Sequence, residues 1–84
     1  EHHIEDIEGL NNKAFNNELD VTALSAHAYA FLHDRYRILS AGASVGHGYG
    51  PIVVSRDERE GLRGKGERIA VPGRYTTANL LLNL

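Results

Sequence analysis

The stretch Ile69-Ala70-Val71-Pro72-Gly73-Arg74-Tyr75-Thr76-Thr77-Ala78 decides how this chain is read. Residues 68–71 have the character of a short strand, Pro72-Gly73 turns the chain, and Thr76 opens a helix that runs through Leu84. A strand that turns at Gly and enters a helix through paired Thr gathers free backbone N–H groups and two hydroxyls. Such a helix start favours a carboxylate or phosphate, because the N–H groups and the helix dipole point the same way. The same residues also read as a plain cap, with Thr76 or Thr77 accepting from the first turn. Both readings stand at this point.

Working outward, the pattern recurs at Asp20-Val21-Thr22-Ala23-Leu24-Ser25. Residues 19–24 read as a strand with apolar residues at 19, 21 and 23, and Ser25 is placed to cap a second helix from Ala26 to about His33. Ligands in open α/β sheets sit at the carboxyl ends of strands, so Ser25 is either a ligand contact or simply a cap. Further upstream, Ile4, Ile7, Leu10, Ala14 and Phe15 step by three and four. That spacing predicts an amphipathic helix from Ile4, with Glu5, Asp6 and Glu8 near its positive end. Asn16-Asn17 is the expected stop, since Asn tolerates the left-handed conformation. Residues 36–39, 43–45 and 52–54 are expected as further strands, the last of the kind buried on both faces. Gly46 to Pro51 must be irregular, and the charged residues 55–67 read as a solvated connection with at most one helical turn. The alternation of helix and strand predicts an α/β fold.

Composition narrows the function classes. Nine Lys+Arg against eleven Asp+Glu give a net charge of −2, which offers no basic footprint for nucleic acid. The absence of Cys excludes a disulfide scaffold and a thiolate zinc site. Apolar runs of only a few residues exclude a transmembrane helix or a signal-peptide core within this stretch. The chain has no Met and ends in a helix that is apolar on nearly every side. Both features lead to the expectation of a segment of a longer protein, which on its own would self-associate. His27 and His33 are six residues apart and share no helix face, and no HExxH pattern occurs, so His27, His33 and His47 read as helix-surface or loop residues. His2-His3 is either native or a tag remnant. Gly46-x-Gly-x-Gly-Pro51 opens no helix and is not a dinucleotide fingerprint.

Four motifs occur in order: Ile4-Glu-Asp-Ile-Glu-Gly-Leu-Asn11, Leu19-Asp-Val-Thr-Ala-Leu-Ser-Ala-His-Ala-Tyr29, Gly46-His-Gly-Tyr-Gly-Pro51 and Val71-Pro-Gly-Arg-Tyr-Thr-Thr-Ala78. Together they resemble the 1,4-dihydroxy-6-naphthoate synthase family of the futalosine route to menaquinone, and the resemblance covers essentially the whole chain. It implies an α/β, type II periplasmic-binding-protein-like fold of two lobes with the ligand in the cleft. Residues 1–54 would be part of the first lobe and the crossover, 55–67 a charged connecting loop, and 68–84 the opening strand and helix of the second lobe.

By the same resemblance, substrate contacts fall at Ala23, Leu24 and Ser25 and at Thr77 and Ala78. Ala23 departs from the Lys that many relatives carry, so contacts there would run through backbone or the Ser25 hydroxyl. The family's proton-accepting His lies outside these residues, so no catalytic residue is assigned within them. The implied protein is a cytoplasmic carbon–carbon lyase that uses neither cofactor nor metal. It would act on a small-molecule carboxylate, cyclic de-hypoxanthinylated futalosine, and would bind neither nucleic acid nor membrane. A non-catalytic solute-binding protein of the same fold, taking a small carboxylate, is the alternative.

Overall fold

The computed structural model describes residues 1–58, 60–62 and 66–84. They hold three helices: α1 (Ile7–Phe15), α2 (Ala26–Leu32) and α3 (Thr77–Leu82). The chain divides into two compact units, one of Glu1–Leu39 with Val71–Leu84 and the other of Ser40–Ala70. All three helices belong to the first.

Each helix start is set by a local side chain. Asp6 accepts from Gly9 N at 2.7 Å, Ser25 from Ala28 N at 3.0 Å and Thr76 from Asn79 N at 3.3 Å. The expected caps at Ser25 and Thr76 are thus in place. The expected start at Ile4 is corrected to Ile7. Asp6 has extended backbone angles and turns its carboxylate onto the first turn, leaving Ile4 96% exposed outside the helix. Asn17 takes the left-handed conformation at φ 57°, and its N–H reaches Ala14 O, which ends α1 where expected. At the other end of the unit, α3 stops at Leu82 rather than Leu84.

The strands expected over 19–24, 36–39, 43–45, 52–54 and 68–71 do not form among the described residues. A strand exists only through hydrogen bonds to a neighbouring strand, and none of these segments pairs with another. Ile52, expected to be buried on both faces, is 82% exposed for the same reason. Within Ser40–Ala70 the segment Gly46 to Pro51 is irregular, with Gly48 at φ 76°. Positions 59 and 63–65 of the expected charged connection lie outside the described residues, and its described part holds no helical turn.

In the first unit, α2 packs against both α1 and α3. Ala14, Ala28 and Leu32 are fully buried. Burying Leu32 contributes about 1.5–3 kcal/mol. A half-exposed aromatic cluster lies on the same unit. The Phe15 and Tyr75 rings lie 4.5 Å apart between centroids, with Phe31 at 5.9 Å from Tyr75 and His27 at 5.6 Å from Phe31. Arg35 donates to Phe15 O and to Asn17 Oδ1, and the Tyr36 hydroxyl donates to Leu19 O, so the chain leaving α2 is fastened back to the end of α1.

Candidate functional site

The starts of α2 and α3 lie side by side, and one buried amide joins them. Asn11, on α1, is fully buried. Its Nδ2 donates towards Ser25 Oγ at 3.3 Å, Tyr75 O at 3.3 Å and Glu8 Oε2 at 3.5 Å. Its Oδ1 accepts from Ser25 N at 3.2 Å. Ser25 in turn donates its hydroxyl proton to Tyr75 O at 2.5 Å. Glu8 completes the group, with both carboxylate oxygens 3.2 Å from Tyr75 N. The peptide groups flanking Tyr75 are thereby held on both sides: N–H by Glu8, C=O by Ser25 and Asn11.

A second set of contacts joins the two helix starts directly. His27 N donates to Thr77 Oγ1 at 3.4 Å, and His27 Nδ1 lies 3.1 Å from Thr76 O. Because a carbonyl can only accept, that contact requires the Nδ1–H form of the ring and leaves Nε2 as the acceptor in neutral His27. Thr76 is buried; its hydroxyl donates to Gly73 O at 2.8 Å while accepting from Asn79 N.

The five residues singled out as substrate contacts therefore differ in what they can offer. Ser25 has its proton on Tyr75 O and its lone pairs facing Ala28 N and Asn11 Nδ2, so its hydroxyl is occupied within the protein. Thr77 only accepts, from His27 N, and no described hydrogen bond uses its proton. The Thr77 and Ala78 N–H groups, in the first turn of α3, take part in no described hydrogen bond either, as expected at a helix start. Ala78 and Leu24 are half-buried and Ala23 is exposed. Ala23 borders a groove of about 780 Å³ whose wall also includes His2, His3, Asp20 and Thr22 but neither Ser25 nor Thr77.

Glu8, Asn11 and Tyr75 carry the cluster; sequence pattern places Glu8 only at the positive end of α1 and gives Asn11 and Tyr75 no site role. A signal existed for Asn11: it stands one helical turn from Ile7 and from Ala14, a polar residue on the apolar face of α1. His33, at the end of α2, is exposed. Among the described residues no group of three His, Asp or Glu converges as metal ligands would. No helix among them is long and apolar enough to cross a membrane.

The family described as menaquinone biosynthesis matches residues 1–84, and the chain belongs to it. Two curated relatives carry the name 1,4-dihydroxy-6-naphtoate synthase. That of Thermus thermophilus is 48% identical over 81 residues, 96% of this chain and 29% of its own length. That of Streptomyces coelicolor is 37% identical over 79 residues, 94% of this chain and 27% of its own. This chain thus spans less than a third of either relative. No solved structure shows a significant match.

Proposed function

We propose that these residues belong to a 1,4-dihydroxy-6-naphthoate synthase. The enzyme is a cytoplasmic carbon–carbon lyase of the futalosine pathway. It cleaves cyclic de-hypoxanthinylated futalosine, releasing 1,4-dihydroxy-6-naphthoate from the sugar-derived carbons. The whole protein has a two-lobed, type II periplasmic-binding-protein-like α/β fold. In it the segments 19–24, 52–54 and 68–71 find strand partners, and residues 1–54, 55–67 and 68–84 are the first lobe with crossover, the connection and the opening of the second lobe.

The observation that carries this reading is the match of nearly the whole chain to two relatives of that name. The joined starts of α2 and α3 support the binding half of it. Thr77, with a hydroxyl proton and two first-turn N–H groups at Thr77 and Ala78, offers donors suited to the substrate carboxylate. On the other side, Ala23, Leu24 and Ser25 contribute shape and backbone, because the Ser25 proton is held by Tyr75 O. The proton acceptor of the reaction lies outside these 84 residues, so the isolated segment is inactive.

The test is to supply the futalosine-derived substrate to the purified full-length protein and follow naphthoate release. Binding of the substrate without turnover would favour the solute-binding alternative; release of naphthoate excludes it.

A further inference from the structure

We propose that Glu8 and Asn11 of α1 are positioning residues for the substrate contacts, setting the Tyr75–Thr77 segment against Ser25; the inference rests on the function proposed above. The two residues lie three apart on one helix face and grip a segment more than sixty residues away. Glu8 takes the Tyr75 N–H with both oxygens, and Asn11 reaches the Tyr75 carbonyl. Thr76 and Thr77 follow within two residues, so the direction in which α3 begins is fixed by the peptide groups that α1 holds.

The chemistry of the pair is specific. Three acceptors (Glu8 Oε2, Ser25 Oγ and Tyr75 O) converge on the two protons of Asn11 Nδ2, while its oxygen faces a donor, Ser25 N. Only a side chain that donates on one arm and accepts on the other fits that environment. An apolar residue would fill the core equally well but would leave the Tyr75 segment free to slide, whereas a satisfied buried network specifies one arrangement. Gly73 contributes to the fit, because a Cβ there would run into the Glu8 carboxyl group.

The experiment uses the full-length enzyme carrying Asn11→Asp, with circular dichroism to establish that the variant is folded at the assay temperature. Asp keeps the acceptor facing Ser25 N and turns the donating arm into a second carboxylate oxygen facing Glu8 and Tyr75 O. The expected result is a KM raised about tenfold or more, with kcat within about threefold of the parent, because binding geometry is lost and the proton acceptor is elsewhere. Combining Glu8→Gln with Asn11→Asp restores an amide–carboxylate pair and should recover about threefold or more of the lost KM, a rescue that a general loss of stability would not produce. Where Asn11→Asp does not fold, Glu8→Gln alone carries the test and should raise KM with kcat retained. A folded variant with the parent's KM, or a double variant no better than Asn11→Asp, overturns the inference while leaving the proposed function intact. A parent protein that releases no naphthoate overturns the proposed function, and this inference with it.

Discussion

Ser25 donates its hydroxyl proton to the carbonyl of Tyr75, fifty residues further along the chain. One side chain thus serves two ends. It caps α2 through Ala28 N, and it joins the start of α2 to the residue before the α3 cap. A cap is a local device, and the bond to Tyr75 makes this one a tertiary contact as well.

Removing that hydroxyl should therefore be felt mainly in stability. Ser25→Ala deletes the cap and leaves Tyr75 O with only its weaker contact to Asn11. The expected loss is about 1–3 kcal/mol, from a lost cap together with a weakened buried carbonyl partner. Urea unfolding of the full-length protein measures it, and an unchanged midpoint would count against the bond. Ligand affinity should fall less than stability does.

Thr77→Val should behave in the opposite way. Valine keeps the shape, and the cap of α3 is Thr76, so the helix loses little. What disappears is a hydroxyl whose proton is unused within the described hydrogen bonds, together with the long, 3.4 Å contact its oxygen accepts from His27 N. Loss of a hydrogen bond to a charged ligand costs about 1.5–3 kcal/mol, roughly ten- to a hundredfold in affinity. Calorimetry with substrate or product reads this directly, and parental affinity would remove Thr77 from the site.

Gly73→Ala tests the approach of Glu8 to the turn. The added Cβ would collide with the Glu8 carboxyl group, which is held by Tyr75 N and Asn11 and cannot simply swing away. Crowding of this kind typically costs about 1–3 kcal/mol. Shortening the obstacle should relieve it, so Gly73→Ala combined with Glu8→Ala is expected to be less destabilised than the sum of the two single changes. Strict additivity in thermal unfolding would argue that the two residues do not touch.

The isolated 84-residue segment should self-associate and show no turnover. Leu80 and Leu81 are exposed on α3, and Leu84 is 92% exposed at its end. Apolar side chains gathered in one place seek cover in another copy. Sedimentation at several concentrations should show association that weakens in Leu81→Lys, and supplying the futalosine-derived substrate should yield no naphthoate. A monodisperse monomer or measurable naphthoate release would each contradict its half of the expectation.

What could be read in the sequence were the features decided within a few residues. Ser25, Thr76 and Asn17 act on their own turns, and residue type and spacing announce them. Ile4 fits the apolar period of α1, yet the carboxylate of Asp6 decides where the helix begins. The segments around 19–24 and 52–54 have strand composition, but pairing depends on a neighbour that composition does not name. Asn11 shows in the sequence only as a polar residue on an apolar face, because its partners Ser25 and Tyr75 lie 14 and 64 residues away. The resemblance supplied the family; it did not supply the amide that holds the two helix starts together.

The order in which the chain emerges during synthesis gives the Asn11 amide a further consequence. α1 and α2 leave the ribosome first, yet Asn11 has no Tyr75 carbonyl to meet until the chain has grown 64 residues past it. Closing so long a loop costs only slowly growing entropy but makes the contact a late one. Until then the nascent helix pair carries an amide that its apolar neighbours would bury without a full set of partners. The polar partners of Asn11 are complete only when the Tyr75 segment arrives.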